Sequence, residues 1–303
     1  GGLCMKAAVI GIGSNSVRML LAEVENGVLT RLSRDREGTR LFAGLDEEKR
    51  LSRDAMEKSA AAAARMARSA REAGAQEIHI FATSATRDSA NKADFAALIR
   101  EHTGLPLEIC TGDEEAALSF YGATDGGDSG VIDIGGGSTE IIIGSGMDIF
   151  CGFSCQMGAV RLAGLTPIRD HGDIPHVEAM AAEILREQLR LHPALTMPGK
   201  WYGTGGTFTT LAAIVRGVHW TERTYMHGTV LTAEDVERVA RQLAGLTVEE
   251  RRSLPGLQPN RTDIIVHGIC ILLACMHTMG IREIAVSEYC NLDGYLCHAY
   301  QVK

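Results

Sequence analysis

The sequence predicts an α/β protein made of two related domains, and three observations indicate this fold class. Apolar, β-branched runs alternate with helical segments along the 303 residues. A strand, glycine-rich turn and strand pattern occurs twice, and a Gly/Asp-rich stretch at 121–130 separates the two copies. The length also suits two domains of about 150 residues each. We therefore expect domains at 1–124 and 125–303, with the last helix or strand packing back on the first domain.

The first half of the chain begins with two short strands around a polar turn, within 7–24, because aliphatic residues flank the glycines and serines. A helix over 52–73 follows from Ser52 as N-cap, an alanine run and Gly74 beyond its end. The remaining patterns predict strands at 77–83 and 107–110 and helices at 92–102 and 114–121.

The second half repeats this order, with strands at 131–134 and 140–143 around a second glycine turn. A helix opens at Thr232, where Asp235 stands at the spacing of a capping box. The other predicted elements are a helix at 177–191, a helix that follows the glycine loop at 203–207 and runs to about 216, an apolar helix at 263–279 and a last strand at 283–287.

Composition and charge exclude several classes of protein. Hydrophobic residues make up 45% of the chain and charged residues 22%, which is typical of a globular protein and excludes a disordered one. The net charge of −8 argues against broad nucleic-acid binding, which needs a basic face. There is no apolar run of membrane-spanning length, no signal-peptide pattern at the first residues and no Cys-x-x-Cys pair. We therefore expect a cytoplasmic protein without membrane or nucleic-acid partners.

The two glycine turns are copies of one motif. The segment 9–16 reads VIGIGSNS and the segment 131–138 reads VIDIGGGS, offset by 122 residues. Glycines let the backbone approach an anion closely, and hydroxyl side chains add donors. Neither turn is a Walker A loop, since no Gly-Lys-Ser/Thr follows. One such turn is commonly an ordinary hairpin, but two in matched positions, with a third glycine loop at 203–207, favour phosphate binding.

Six motifs in order resemble a known family. They read GIGSNSVR at 11–18, ATSATR at 82–87, TGDEEA at 111–116, IDIGGGSTE at 132–140, MGAVRL at 157–162 and GTGGT at 203–207. On these motifs the chain resembles the exopolyphosphatase/guanosine pentaphosphate phosphohydrolase family. The resemblance implies the actin-like ATPase and sugar-kinase fold, with two ribonuclease-H-like domains, mixed sheets flanked by helices, and an active-site cleft between the domains.

The resemblance also implies an activity. The chain would be a hydrolase that removes the terminal phosphate of inorganic polyphosphate, the 5′-terminal phosphate of guanosine pentaphosphate, or both. Such a reaction needs in-line attack by water, a base to activate that water and a divalent cation to neutralise the phosphate oxygens. We expect Mg²⁺ or Mn²⁺ as cofactor, polyphosphate or guanosine pentaphosphate as binding partner, and a homodimer.

Three carboxylates are the candidates for the chemistry. Glu115 aligns with the catalytic carboxylate of the family and would be the general base, whereas Glu114 is the less favoured choice. Acids at a helix start also have an ordinary role beside the helix dipole. Asp133 ends a buried-looking strand, where an acid needs a partner, so a metal or phosphate-loop role is favoured over a structural one, and we expect it to be a metal ligand. Glu140 would be a second acid near the metal or the attacking water.

The phosphate chain would be held by two arginines and by the glycine turns. A single arginine is more often a solvated surface charge, but Arg18 and Arg87 stand within the motifs. His267, in an apolar helix, is expected to be a core histidine. The remaining substrate-binding candidates are Ser14, Asn15, Ser16, Gly136, Gly137, Ser138, Gly205, Gly206 and Thr207.

Two departures from the family leave alternatives open. The first turn has Gly11 where the family usually has a metal-binding acid, and Leu292 stands where the family often has an arginine. The first departure motivates a second hypothesis, a non-catalytic sensor that binds polyphosphate or an alarmone through a weakened metal site. A phosphotransferase of the same fold is a third hypothesis.

Overall fold

The computed structural model describes residues 4–302, and they form two compact units. Unit 1 comprises residues up to 122 together with those from 291 onward, and unit 2 comprises residues 123–290. Each unit is a mixed β-sheet flanked by helices, which confirms the predicted α/β class.

The first part of unit 1 contains strands β1 to β5 and helices α1 to α4. The strands are β1 (Met5–Ile12), β2 (Ser16–Glu25), β3 (Val28–Gly38), β4 (Glu77–Ala82) and β5 (Glu108–Ile109). The helices are α1 (Arg53–Glu72), α2 (Ser84–Arg87), α3 (Lys92–Thr103) and α4 (Gly112–Ala123).

Unit 2 contains strands β6 to β11 and helices α5 to α10. The strands are β6 (Asp128–Ile134), β7 (Thr139–Ser145), β8 (Asp148–Cys155), β9 (Trp201–Thr204), β10 (Val230–Thr232) and β11 (Glu283–Val286). The helices are α5 (Ala159–Leu165), α6 (Ile174–Arg190), α7 (Gly206–Arg216), α8 (Ala233–Ala244), α9 (Val248–Arg252) and α10 (Ile265–Met279). Helix α11 (Asn291–Tyr300) then returns to unit 1.

The two sheets share one strand order. In unit 1 the order is β3-β2-β1-β4-β5, with β2 antiparallel and β4 parallel to β1. In unit 2 the order β8-β7-β6-β9-β11 repeats it, and β10 adds one antiparallel edge strand. Parallel pairs need a crossover, and helices supply it in both units. The repeat seen in the sequence is thus a repeat of the fold.

The repeat extends to the register of the two hairpins. Gly11 pairs with Arg18 across β1 and β2, and Asp133 pairs with Glu140 across β6 and β7. The turn at 13–16, called turn 1, closes with the Gly13 amide donating to the Ser16 carbonyl at 3.0 Å. The turn at 135–138, turn 2, closes the same way at 2.9 Å. Gly11 therefore occupies the place of Asp133, and Arg18 that of Glu140.

Helix α10 forms the centre of the unit 2 core. It is buried along almost its whole length, which explains its continuous apolar sequence. The helix has 15 residues, short of the roughly 20 that span a bilayer. Among residues 4–302, no helix combines the length and apolarity that a membrane crossing requires.

Helix α11 packs on β1 and β2 through an apolar and a charged contact. A Cβ built on Gly11 would lie 2.8 Å from Leu292 Cδ2, so the leucine fills the space that a side chain at position 11 would need. Asp293 is fully buried and is bound by Arg31 and Arg34 of β3. Burial would raise the pKa of Asp293, but the two guanidinium groups outweigh it and lower this pKa below the ordinary value.

Several elements differ from the sequence prediction. Strand β3 was not predicted because its sequence, VLTRLSRDREG, is mostly charged and lacks the apolar alternation of a half-buried strand. Strand β8 was also missed, as were the short elements α2, α5, α9 and β10 and the terminal helix α11. The capping box of α8 is confirmed, with Thr232 and Asp235 bonded reciprocally.

A histidine in unit 2 is expected to make the stability of the fold depend on pH. His277 of α10 bonds Glu178 of α6 and, at 3.0 Å, Glu237 of α8. The hydrogen bond to Glu178 is the main cause that raises the pKa of His277 above its ordinary value. A pKa raised by folding gives stability that is complete below the unfolded value, about 6.5, and is lost as pH rises through the folded value.

We expect the melting temperature of the wild type to fall as pH rises above about 6.5, because the stabilisation from protonated His277 is then lost. The variant His277→Gln should lack that component of the pH profile. Thermal denaturation at a series of pH values compares the two proteins, with His219→Gln, an exposed histidine in a loop, as control. Identical profiles for the wild type and His277→Gln would contradict this assignment.

Candidate active site

Turn 1 holds a buried amide with no hydrogen-bond partner. Asn15 is 5% exposed, and neither its Oδ1 nor its Nδ2 is bonded to any atom of residues 4–302. The carbonyls of Ser14 and Asn15 accept hydrogen bonds from the backbone of Phe42 and Arg40, each at 3.0 Å, which fixes the turn. An unmet polar side chain costs about 1–3 kcal/mol, so its retention in a rigid turn points to a bound ligand.

Turn 1 is linked by a buried hydrogen bond to the start of α2. The hydroxyls of Ser14 and Ser84 lie 3.0 Å apart. Ser84 is the first residue of α2, and Arg87 is its last. The predicted turn and the predicted arginine therefore belong to one connected part of unit 1.

Arg87 is bonded to the predicted base. Its Nη1 lies 2.8 Å from Glu115 Oε2 and 3.0 Å from the carbonyl oxygen of Cys110. Both side chains are largely buried, with 15% and 7% of their surfaces exposed. Glu115 lies in the first turn of α4, where Glu114 and Thr111 bond each other as a cap. The arginine thus orients the Glu115 carboxylate, a contact that the sequence did not reveal.

Arg18 and Ser16 complete the candidates of unit 1. Arg18 Nη2 donates to Asn291 Oδ1 at 3.0 Å, so helix α11 orients this guanidinium. Ser16 is buried and begins β2.

The start of α5 binds the backbone of turn 2 through hydrogen bonds. The amides of Ala159 and Val160 donate to the carbonyls of Gly135 and Gly136, both at 2.9 Å. Arg161 Nε donates to the Gly137 carbonyl at 2.7 Å. A Cβ on Gly158 would lie 2.3 Å from the Gly136 carbonyl, so only glycine allows this close approach. The motif at 157–162 therefore serves to fix turn 2.

Two carboxylates stand side by side next to turn 2. Asp133 and Glu140 are directly paired residues on adjacent strands, so their side chains leave the same face of the sheet. They are 8% and 1% exposed. Glu140 accepts hydrogen bonds from Ser138 at 3.4 Å and, on its other oxygen, from Ser154.

This pair fits a hard divalent cation. Two like charges facing each other on a buried sheet face are unfavourable, and a cation between oxygen ligands removes that cost. Within residues 4–302, neither acid belongs to a set of three mutually close metal-binding side chains. Mg²⁺ tolerates this well, because it usually keeps waters and substrate phosphate oxygens beside one or two carboxylates.

The third glycine loop, at 203–207, lies beside the same acid. Gly205 has a φ of +105°, and a Cβ on it would lie 3.2 Å from Asp133 Oδ1 and 2.9 Å from the Ile134 carbonyl oxygen. Thr207 is buried with its hydroxyl directed at Gly268 of α10, where a Cβ would come within 2.3 Å. Thr207 therefore packs the loop against the core helix.

Sequence reasoning missed Arg261, which lies against this loop. A Cβ on Gly206 would lie 1.8 Å from the Arg261 Cζ, so the guanidinium covers the position. Arg261 Nε donates to Gln258 Oε1 at 3.3 Å, which helps to hold the guanidinium over the start of α7. No sequence motif included Arg261. The one signal in the sequence is Gly206, because the absence of a side chain there lets the guanidinium approach the loop.

The predicted site residues thus fall into two groups, one in each unit. In unit 1 the structure links Ser14 to the Arg87–Glu115 pair through α2, and turn 1 adds Asn15. In unit 2 it gathers Asp133, Glu140 and the glycines of turn 2 and of the third loop.

The two sheets share one strand order, and each has a glycine–serine turn at the end of its central strand. These features define an enzyme of the actin-like ATPase fold class. A model of the Ppx/GppA phosphatase family matches residues 20–301. The chain belongs to the Ppx/GppA phosphatase family and is a hydrolase of the exopolyphosphatase type.

Individual relatives agree with this assignment. Exopolyphosphatase 2 of Mycobacterium tuberculosis is 33% identical over 314 residues, covering 95% of this chain and 97% of the relative. A crystal structure of an exopolyphosphatase from Cytophaga hutchinsonii has a TM-score of 0.88 at 25% identity and covers 99% of each chain. The Aquifex aeolicus member of the Ppx/GppA family has a TM-score of 0.82 at 25% identity, covering 99% of this chain and 98% of that one.

Proposed function

We propose that this protein removes the terminal phosphate of inorganic polyphosphate by in-line attack of water. The observation that carries the proposal is Asn15, a buried and unbonded amide in a rigid turn whose neighbour Ser14 is linked to the helix of Arg87. An amide offers both a donor and an acceptor to a phosphate and its bound water. The names of the relatives, which are exopolyphosphatases, support the same substrate.

Glu115 is the base in this proposal. The carboxylate takes a proton from water as the water oxygen attacks the terminal phosphorus, and the P–O bond to the rest of the chain breaks on the opposite side. Arg87 holds the carboxylate in place through its Nη1. The products are orthophosphate and a polyphosphate shorter by one unit.

Asp133 and Glu140 hold the divalent cation, Mg²⁺ or Mn²⁺, in this proposal. The cation supplies positive charge that neutralises the phosphate oxygens as the P–O bond breaks. Ser138 and Ser154 keep the Glu140 carboxylate in place, and the glycines of turn 2 offer backbone amides to the phosphates.

Asp133→Asn should weaken cation binding. The substitution keeps the size of the side chain but removes one of the two adjacent charges, so we expect affinity for Mn²⁺ to fall by at least about tenfold, as for loss of a charged interaction. Mn²⁺ binding measured by electron paramagnetic resonance tests this without turnover. Asp148→Asn, at an exposed strand start, is the control. Equal Mn²⁺ affinity in wild type and Asp133→Asn would contradict the metal role.

Guanosine pentaphosphate is the second substrate that we propose, because its 5′-terminal phosphoanhydride offers the same bond to the same groups. A panel of short polyphosphate, long polyphosphate and guanosine pentaphosphate, with phosphate release measured in Mg²⁺ and in Mn²⁺, gives the preference. Absence of release from every substrate in both metals would overturn the proposed hydrolysis.

One observation favours the sensor as a second candidate. Gly11 of β1 occupies the position that Asp133 has in unit 2, and Leu292 fills the space beside it, so unit 1 offers no acid to a cation at this position. The same panel separates the two functions, since a sensor would bind polyphosphate tightly, as measured by calorimetry, without releasing phosphate.

A further inference from the structure

Unit 2 contains a small polar cavity apart from the glycine turns. Its volume is about 260 Å³, and it opens beside the start of α10, the α9 helix and the chain that follows α5. The polar groups that line it are Arg169, Thr247, Arg251, Asp263 and His267.

Arg251 is the most unusual group of this cavity. It is 6% exposed, and its Nε and Nη1 donate to the carbonyls of Leu243 and Thr262 at 2.8 and 2.9 Å. No carboxylate of residues 4–302 lies within ion-pair distance of Arg251, although Asp263 attracts it from farther away. Buried charges in proteins are normally paired, because an unpaired one is costly to desolvate.

The neutral partners of Arg251 account for only part of this arrangement. Leu243 lies in the last turn of α8, where a cation is favoured by the helix dipole, so one role of Arg251 is to cap that helix. Two neutral carbonyls use two of the five guanidinium donors. No hydrogen bond within the described residues uses Nη2, which suits a second, anionic partner.

His267 adds a second incomplete group. It is 5% exposed, and its Nε2 donates to the Thr166 carbonyl at 2.6 Å, which places the ring proton on that nitrogen. Burial lowers the pKa of His267, and Arg251 lowers it further, so the ring is neutral near pH 7. Its Nδ1 is then an acceptor, and it has no partner within residues 4–302. The sequence suggested a satisfied core histidine, whereas only one of its nitrogens is satisfied.

We propose that this cavity binds a small protonated oxyanion, and that inorganic phosphate is the oxyanion that fits it best. A hydrogen phosphate ion carries charged oxygens for Arg251 and a P–O–H donor for the acceptor nitrogen of His267. Two arginines and one aspartate line the cavity, so its fixed charge is positive. Orthophosphate is also the product that the proposed hydrolysis releases, but binding here does not depend on that reaction.

The test is a titration of the full chain with inorganic phosphate, followed by NMR of the imidazole nitrogens. The His267 signals, identified with His267→Gln, should shift in a saturable manner. Arg251→Gln should weaken the binding by at least about tenfold, the loss expected for a hydrogen bond between charged groups. No shift of the His267 signals in the wild type overturns the proposal.

Arg251→Gln also removes the cap of α8, so a second variant is needed that leaves Arg251 in place. Ala163 lines the same cavity, and Ala163→Phe would fill its space while leaving Arg251 intact. Ala163→Phe should abolish the shift of His267, whereas Gly164→Ala, a neighbour with open space around it, should preserve it. A shift of His267 that is the same in Ala163→Phe and wild type also overturns the proposal. Phosphate release from polyphosphate, measured separately, tests the hydrolase.

Discussion

Replacing Glu115 with glutamine is expected to reduce phosphate release from polyphosphate by about 10²- to 10⁴-fold, the range for loss of a general base. The amide cannot accept the proton of the attacking water. Its oxygen can still accept the hydrogen bond from Arg87 Nη1, so the fold around α2 and α4 should be retained. Calorimetric binding of polyphosphate should therefore stay within a few-fold of wild type while kcat falls.

The neighbouring acid is the matched control. Glu114 accepts a hydrogen bond from the Thr111 backbone amide at 3.3 Å and is more exposed than Glu115. Glu114→Gln keeps an oxygen for this cap, and its turnover should be close to that of the wild type. Wild-type turnover in Glu115→Gln, or a loss in Glu114→Gln as large as that in Glu115→Gln, would show that the base is assigned to the wrong residue.

Replacing Gly158 with alanine is expected to displace the backbone of turn 2. The new Cβ would lie 2.3 Å from the carbonyl carbon and oxygen of Gly136 and 2.4 Å from the Gly137 amide. These are backbone atoms, so turn 2 itself must move. We expect a loss of at least about 1–3 kcal/mol in the free energy of unfolding, together with loss of phosphate release.

A glycine within α5, the helix that Gly158 precedes, isolates the cause. A Cβ on Gly164, six residues further along, would meet open space, so Gly164→Ala should be neutral or stabilise α5 by up to about 1 kcal/mol. Gly158 has an extended backbone, φ −148° and ψ 164°, which alanine adopts freely. Chemical denaturation and phosphate release of both variants test the contact with turn 2. Unchanged stability and activity in Gly158→Ala would refute it.

Much of this structure could be predicted from the sequence, because the essential features depend on residues that are close together in the chain. The two turns could be predicted since glycines, serines and flanking apolar runs all lie within a few residues, and the 122-residue offset repeats as a matched strand register. The capping box at Thr232 is equally local. The pairing of Asp133 with Glu140 across β6 and β7 follows from the same local pattern.

Features that depend on distant residues could not be predicted in this way. Strand β3 is charged because Arg31 and Arg34 bind Asp293 of α11, more than 250 residues later. The contact between Arg261 and Gly206 also joins distant segments.

The return of α11 to unit 1 has a consequence for biosynthesis. The ribosome makes β1 and β2 early, but the helix that fills the space beside Gly11 and buries Asp293 is made only after all of 123–290. Unit 2 is continuous in the chain, so it can complete its own core while unit 1 still waits for its last helix. Folding of unit 1 also requires that the chain close over the long segment 123–290, and such closure is slow. We therefore expect unit 1 to be more exposed to aggregation and proteolysis than unit 2 until α11 has been made.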